Sequence, residues 1–95
     1  MMSKRDEYAA RMKQQIDELN EDIDKLERKA KNVSDATEKK YDEQIVKLRR
    51  EVKQVREKLD ELRSASESAW ESMVDEVENV AKALKQSFNY FKSQL

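Results

Sequence analysis

Glycine, proline, cysteine and histidine are all absent from the 95 residues, and each absence closes off a part of protein chemistry. Average usage would supply roughly ten glycines and prolines in a chain of this length. Compact turns draw on both, so a mostly β or α/β chain without them is excluded in favour of an all-α fold. Without glycine there is no phosphate-cradling loop of the P-loop or dinucleotide type. Without cysteine there are no disulfides, thiolate metal sites or thiol nucleophiles, which fits a reducing compartment. Without histidine the commonest general base, the usual zinc ligand and the Ser-His-Asp constellation all go. Helical bundles that hold iron pair Glu with a Glu-x-x-His motif, which cannot be written here. No catalytic residue, cofactor or metal is therefore expected, and the chain reads as non-enzymatic.

Charge of one sign and long apolar runs are missing too. The 20 basic and 21 acidic residues nearly cancel, leaving no positive field to condense on nucleic acid or anionic lipid. The densest basic stretch, Lys47 to Lys58, is interrupted by Glu51 and Glu57 and makes a poor DNA-binding basic region. No apolar run approaches the ~20 residues needed to span a bilayer. The start, Met1-Met2-Ser3-Lys4-Arg5-Asp6-Glu7, turns acidic where a signal peptide needs an apolar core. A soluble, cytoplasmic protein with no nucleic-acid partner is the expectation.

What is present is charge, 43% of the residues against a usual quarter, and a regular apolar stripe. From Tyr8 the stripe steps by four or three through Met12, Ile16, Leu19, Ile23, Leu26, Ala30 and Val33. It continues through Thr37, Tyr41, Ile45, Leu48, Val52, Val55, Leu59 and Leu62, then through Ser66, Trp70, Val74, Val77, Ala81, Leu84, Phe88 and Phe91. Such steps keep every member on one side of an α-helix. The three sets are offset by 29 residues. Eight steps in that span average about 3.6 residues, the pitch of an α-helix, so pitch accounts for the recurrence without internal duplication. The same period predicts straight helices, or heptad stretches relieved by slips near Tyr8 to Ile16, Thr37 to Ile45 and Ser66 to Val74.

Two segments are candidate breaks. Around Arg63-Ser64-Ala65-Ser66-Glu67-Ser68, the pairs Ser64 with Glu67 and Ser68 with Glu71 have capping-box spacing. Around Lys31 to Ala36 the signal is weaker: Asp35 and Glu38 have cap spacing, but the neighbours are comfortable helix formers. One domain over 1–95 is expected, with helices over about 4–32, 35–63 and 67–94, the first two either separate or one continuous helix. The fold class is all-α: an antiparallel helical hairpin or a three-helix bundle or coiled coil, closed within one chain or by exchange between two. A continuous first helix would leave Met12 to Leu26 bare, a patch too large to stay wet, and so requires an oligomer.

Acid precedes base by four residues at Glu7 and Arg11, Glu21 and Lys25, Asp24 and Arg28, Glu27 and Lys31, Asp35 and Lys39, Glu43 and Lys47, and Glu78 and Lys82. Such pairs support a helix by ~0.2–0.5 kcal/mol each and mark no site. Carboxylate pairs such as Asp17 with Glu21 belong to the same solvated face, unlike the desolvated pairs that do acid-base work. The stripe turns aromatic in its last third, where Trp70, Phe88, Tyr90 and Phe91 are expected to gather with Met73 in a core.

The run Tyr41-x-x-Gln44-Ile45-x-x-Leu48-Arg49, then Lys58-Leu59-x-Glu61-Leu62-Arg63-x-Ala65-Ser66-x-x-Ala69-Trp70-Glu71 and an amphipathic helix ending in phenylalanines, resembles a family of small bacterial coiled-coil proteins. These are known from cyanobacteria and proteobacteria and described as stress-response or hypothetical proteins. The resemblance extends from about Tyr8 onward and is most particular at Ala-Ser-x-x-Ala-Trp-Glu. It implies a coiled-coil protein and brings no catalytic or binding residues with it. Members often carry a glycine near the position of Glu67.

The expected function is non-catalytic self-association in a structural, scaffold-like or stress-protective role. A homo-oligomer, a dimer above others, forms through Met12, Ile16, Leu19, Ile23, Leu26, Val33, Tyr41, Ile45, Leu48, Val52, Val55, Leu59, Leu62, Trp70, Val74, Val77, Leu84, Phe88 and Phe91. One alternative is a membrane surface or a partner's groove engaged through the aromatic C-terminal helix. Another is an adaptor or inhibitor helix of a larger complex.

Overall fold

The computed structural model describes residues 3–32 and 35–94, apart from the side chains of Asp35, Ala36 and Thr37. Among them the secondary structure is three α-helices: α1 (Lys4–Ala30), α2 (Asp35–Arg63) and α3 (Glu67–Gln94). Arg49 and Arg56 of α2 reach Asp24 and Asp17 of α1, so a later residue of one helix meets an earlier one of the other. Tyr41 meets Phe91, and Lys58 meets Glu76, in the same reversed sense. Both α1 and α3 therefore run antiparallel to α2 and parallel to each other. The bundle is 51 Å long, close to the ~43 Å that the 29 residues of α2 rise.

The stripe dictates this closure. Ile23, Val55, Leu62 and Val77 are wholly buried, and Leu48, Leu84 and Phe91 nearly so, in one core shared by all three helices. Each such side chain taken from water contributes about 1.5–3 kcal/mol. No polar or charged residue among those described is buried as a whole; the covered polar atoms without a hydrogen-bond partner, Arg5 Nη2 and Glu51 Oε1, belong to partly exposed side chains.

The ends of the helices show how a chain without glycine turns. Helices commonly stop on a left-handed glycine, but no described residue has a positive φ. The last turns tighten instead into i→i+3 bonds, Asn32 N to Lys29 O at 3.2 Å, Ser64 N to Glu61 O at 3.2 Å and Ala65 N to Leu62 O at 3.1 Å. This tightening stops α1 at Ala30, two residues before the expected end at 32. Helix α2 opens separately at Asp35. At the other break, Ser64 caps nothing ahead of it: its hydroxyl donates back to the Glu61 carbonyl at 3.2 Å. Ser66 directly precedes α3 and its carbonyl accepts from Ala69 N at 3.1 Å, so the Ser64–Glu67 capping box is not formed. A serine cap is made where none was anticipated, at the head of α1, where Ser3 Oγ accepts from Asp6 N at 3.2 Å.

Candidate association surface

The stripe is largely consumed inside the chain. Met12, Ile16, Ile23, Leu26, Ile45, Leu48, Val52, Val55, Leu59, Leu62, Val77, Leu84, Phe88 and Phe91 are buried together, with Leu19, Tyr41, Trp70 and Val74 half-buried against them. Val33 lies outside the described residues. Ala9 is buried in the same core and Met73 and Val80 pack at its edge. Ala9 and Val80 lie three residues from Met12 and Val77, so the i, i+3 row that broadens the stripe was their signal.

The aromatic residues do not gather. Trp70 and Phe91 occupy opposite ends of α3, roughly 30 Å apart by helical rise. At one end Trp70 meets Tyr8 edge-on at 5.9 Å and carries the Arg5 guanidinium 4.7 Å above its ring. Arg5 Nη1 also donates to the Ala65 carbonyl at 2.6 Å, fastening the start of α1 to the α2–α3 connection. At the other end Tyr41 meets Phe91 edge-on at 5.4 Å, and its hydroxyl donates to the Gln94 carbonyl at 3.0 Å. Tyr90 points away, 65% exposed.

The ion pairs differ from the expected ones as well. Among the described residues none of the anticipated i, i+4 pairs closes within 4 Å; Asp35 lies outside the described side chains. Asp24 and Glu27 turn across the helix boundary to Arg49, whose Nη2 donates to them at 2.7 and 2.5 Å while Nη1 donates to Asn20 at 3.4 Å. The two carboxylates hold the Arg49 proton more firmly than usual, through their hydrogen bonds first. Arg56 adds a second bridge to Asp17 at 3.0 Å. Lys58, between Glu61 and Glu76, is likewise shifted upward, by the charge of Glu61 above all.

These contacts leave the three helix seams unequal. Helix α2 packs closely along both α1 and α3, while α1 and α3 approach each other far less. Ala81, with only a methyl group, borders the same space as Met12 and Leu19. The result is an open groove along α1 and α3. Its lower part lies between Arg11 and Gln15 on one bank and Glu78 and Lys82 on the other. Its upper part lies between Glu18 and Asp22 on one bank and Lys85 on the other. Among the described residues no ion pair spans it; the polar contact across it is Tyr8 Oη donating to Glu78 Oε1 at 3.4 Å. Burial, and then the charge of Glu78, push the Tyr8 phenol up to about 12. Among the described residues no group of three carboxylates is placed to hold a metal, and no helix is long and apolar enough to cross a membrane. Comparison with family models, with curated proteins and with solved structures finds no match to the chain.

Proposed function

We propose that this chain is a non-catalytic helical bundle that acts by self-association, in a structural, scaffold-like or stress-protective role. The observation that supports it is the open α1–α3 groove: the stripe is satisfied on both flanks of α2 and left half-covered along the groove at Leu19 and Ala81. Half-buried apolar residues between charged banks are a surface that a further helix pair covers. A place among small bacterial coiled-coil proteins, working in the cytoplasm, belongs to the same proposal; the Tyr41 to Trp70 segment and the lack of cysteine speak for it. Light scattering across a hundredfold range of concentration tests self-association, and a monomer throughout overturns it.

The alternative, attachment to a membrane or a hydrophobic groove through Trp70 to Phe91, requires α3 to leave the bundle, because Phe88 and Phe91 are 8% and 1% exposed. Flotation with liposomes separates the two. Lipid-dependent recovery, lost on Phe88→Glu with Phe91→Glu, would favour the alternative.

A further inference from the structure

The charges that border the α1–α3 groove are ordered. From the lower end upward the α1 bank reads basic at Arg11, then acidic at Glu18 and Asp22. The α3 bank reads acidic at Glu78, then basic at Lys82 and Lys85. The two banks are in register, since Arg11 borders the same stretch of groove as Glu78, and Glu18 and Asp22 the same stretch as Lys85. Glu78 thus stands across from Arg11 and Lys85 across from Glu18 and Asp22, with Lys82 and Lys85 also bordering the upper side of the stretch beside Arg11. Among the described residues Arg11, Glu18, Glu78, Lys82 and Lys85 form no ion pair; Asp22 touches Lys25 at 3.9 Å, a loose contact within its own helix.

The geometry points to a second copy of this chain as the occupant of the groove, docked by a two-fold axis parallel to the bundle. The inference rests on the self-association proposed above and adds its interface and orientation. Rotation about such an axis lays α1 of one copy along α3 of the other with heights preserved. Arg11 then faces the other copy's Glu78, and Glu18 and Asp22 face its Lys82 and Lys85. Because the interface is isologous, every pairing occurs twice. A two-fold axis across the bundle would instead lay α1 against α1 and α3 against α3 head to tail. Glu78 would then meet the other copy's Lys85, but Lys82, near the middle, would meet the other copy's Lys82, a like-charge juxtaposition that the parallel arrangement lacks. Helices of 27 and 28 residues rise about 40 Å each, and two of them side by side offer a face on the order of the 800 Å² per partner that specific dimers bury.

Charge reversal tests both the interface and its orientation. An acidic-faced variant carries Lys82→Glu and Lys85→Glu, and a basic-faced variant carries Glu18→Lys and Asp22→Lys. Each alone sets like charges against its copy and is expected to dimerise at least tenfold more weakly than the parent, measured by sedimentation at low salt. Mixed one to one, they are expected to recover the dimer mass, because the two altered banks carry opposite signs and meet each other, while the two unaltered banks meet as they do in the parent. The quadruple variant, with opposite signs restored inside one chain, serves as the folded control by circular dichroism and is expected to dimerise unaided. A parent dimer unaffected by either pair of substitutions, or a mixture that stays monomeric, overturns the interface while leaving self-association standing. A parent that is monomeric at all concentrations overturns both, as does a monomer that floats only with phosphatidylserine vesicles, which would give the groove to a lipid surface.

Discussion

The seam between α1 and α2 and the seam between α1 and α3 use the two sides of one apolar stripe, yet they are built differently. The first is crossed by Arg49 onto Asp24 and Glu27 and by Arg56 onto Asp17, over a closely packed aliphatic row. The second is fastened at its lower end by Arg5, Tyr8 and Trp70 and is thin at Ala81. Helical pitch gives both seams the same raw material. What separates them is side-chain volume at a few positions and which charges reach across.

The sharpest way to break the comparison is to remove what both seams share. Ile23 is completely buried, and Ile23→Asp places an unpaired charge there at a cost of several kcal/mol. Loss of the helical circular dichroism signal or of a cooperative urea transition is expected. Arg49→Met acts on the α1–α2 seam alone. It removes the cross-helix bridge while keeping the aliphatic stem. The side chain is 39% exposed, so the expected loss is about 1 kcal/mol, shrinking as salt is added. Ala81→Leu acts on the α1–α3 seam with the opposite sign. Filling the thin place is expected to raise stability by about 0.5–1 kcal/mol, read as a higher urea midpoint at unchanged slope. A loss instead would mean that the groove is already packed.

The smallest effect is invisible at neutral pH. The folded state keeps the Tyr8 proton to about 12 against an ordinary 10, so between those values the unfolded chain loses its proton first. Folding must then take up a proton, and stability falls as pH rises through that window, having been fully present below it. Tyr8→Phe is expected to remove this part of the pH dependence in urea titrations from pH 9 to 12 and to change little at pH 7.

Ile23, Val55 and Val77, each with no exposed surface, were legible because a period of 3.6 requires nothing beyond the chain's own geometry. The serine-rich break was legible for a similar reason, since hydroxyls compete for backbone groups at helix ends. Which serine does so was not: Ser64 turned back to the Glu61 carbonyl because the last turn of α2 still had unpaired acceptors. The ion pairs were misread because spacing along one helix cannot say which flank another helix will cover. Asp24 and Glu27 had local lysine or arginine partners four residues on, and Arg49 displaced them with a two-pronged geometry available only after packing. The aromatic residues were misplaced for the opposite reason. Sharing a face is not sharing a neighbourhood when the helix is nearly eight turns long.

The parallel pairing of α1 with α3 also orders events in time. Tyr8 and Glu78 are 70 residues apart in the chain and Arg5 and Ala65 are 60, whereas Arg49 and Glu27 are separated by 22. Closing the longer loops costs about 1 kcal/mol more in chain entropy. The two hairpins that share α2 therefore zip first and the α1–α3 seam closes last, on the Arg5 latch. Run backwards, the same order makes this seam the first to part, so amide hydrogens along the facing sides of α1 and α3 are expected to exchange ahead of those in α2.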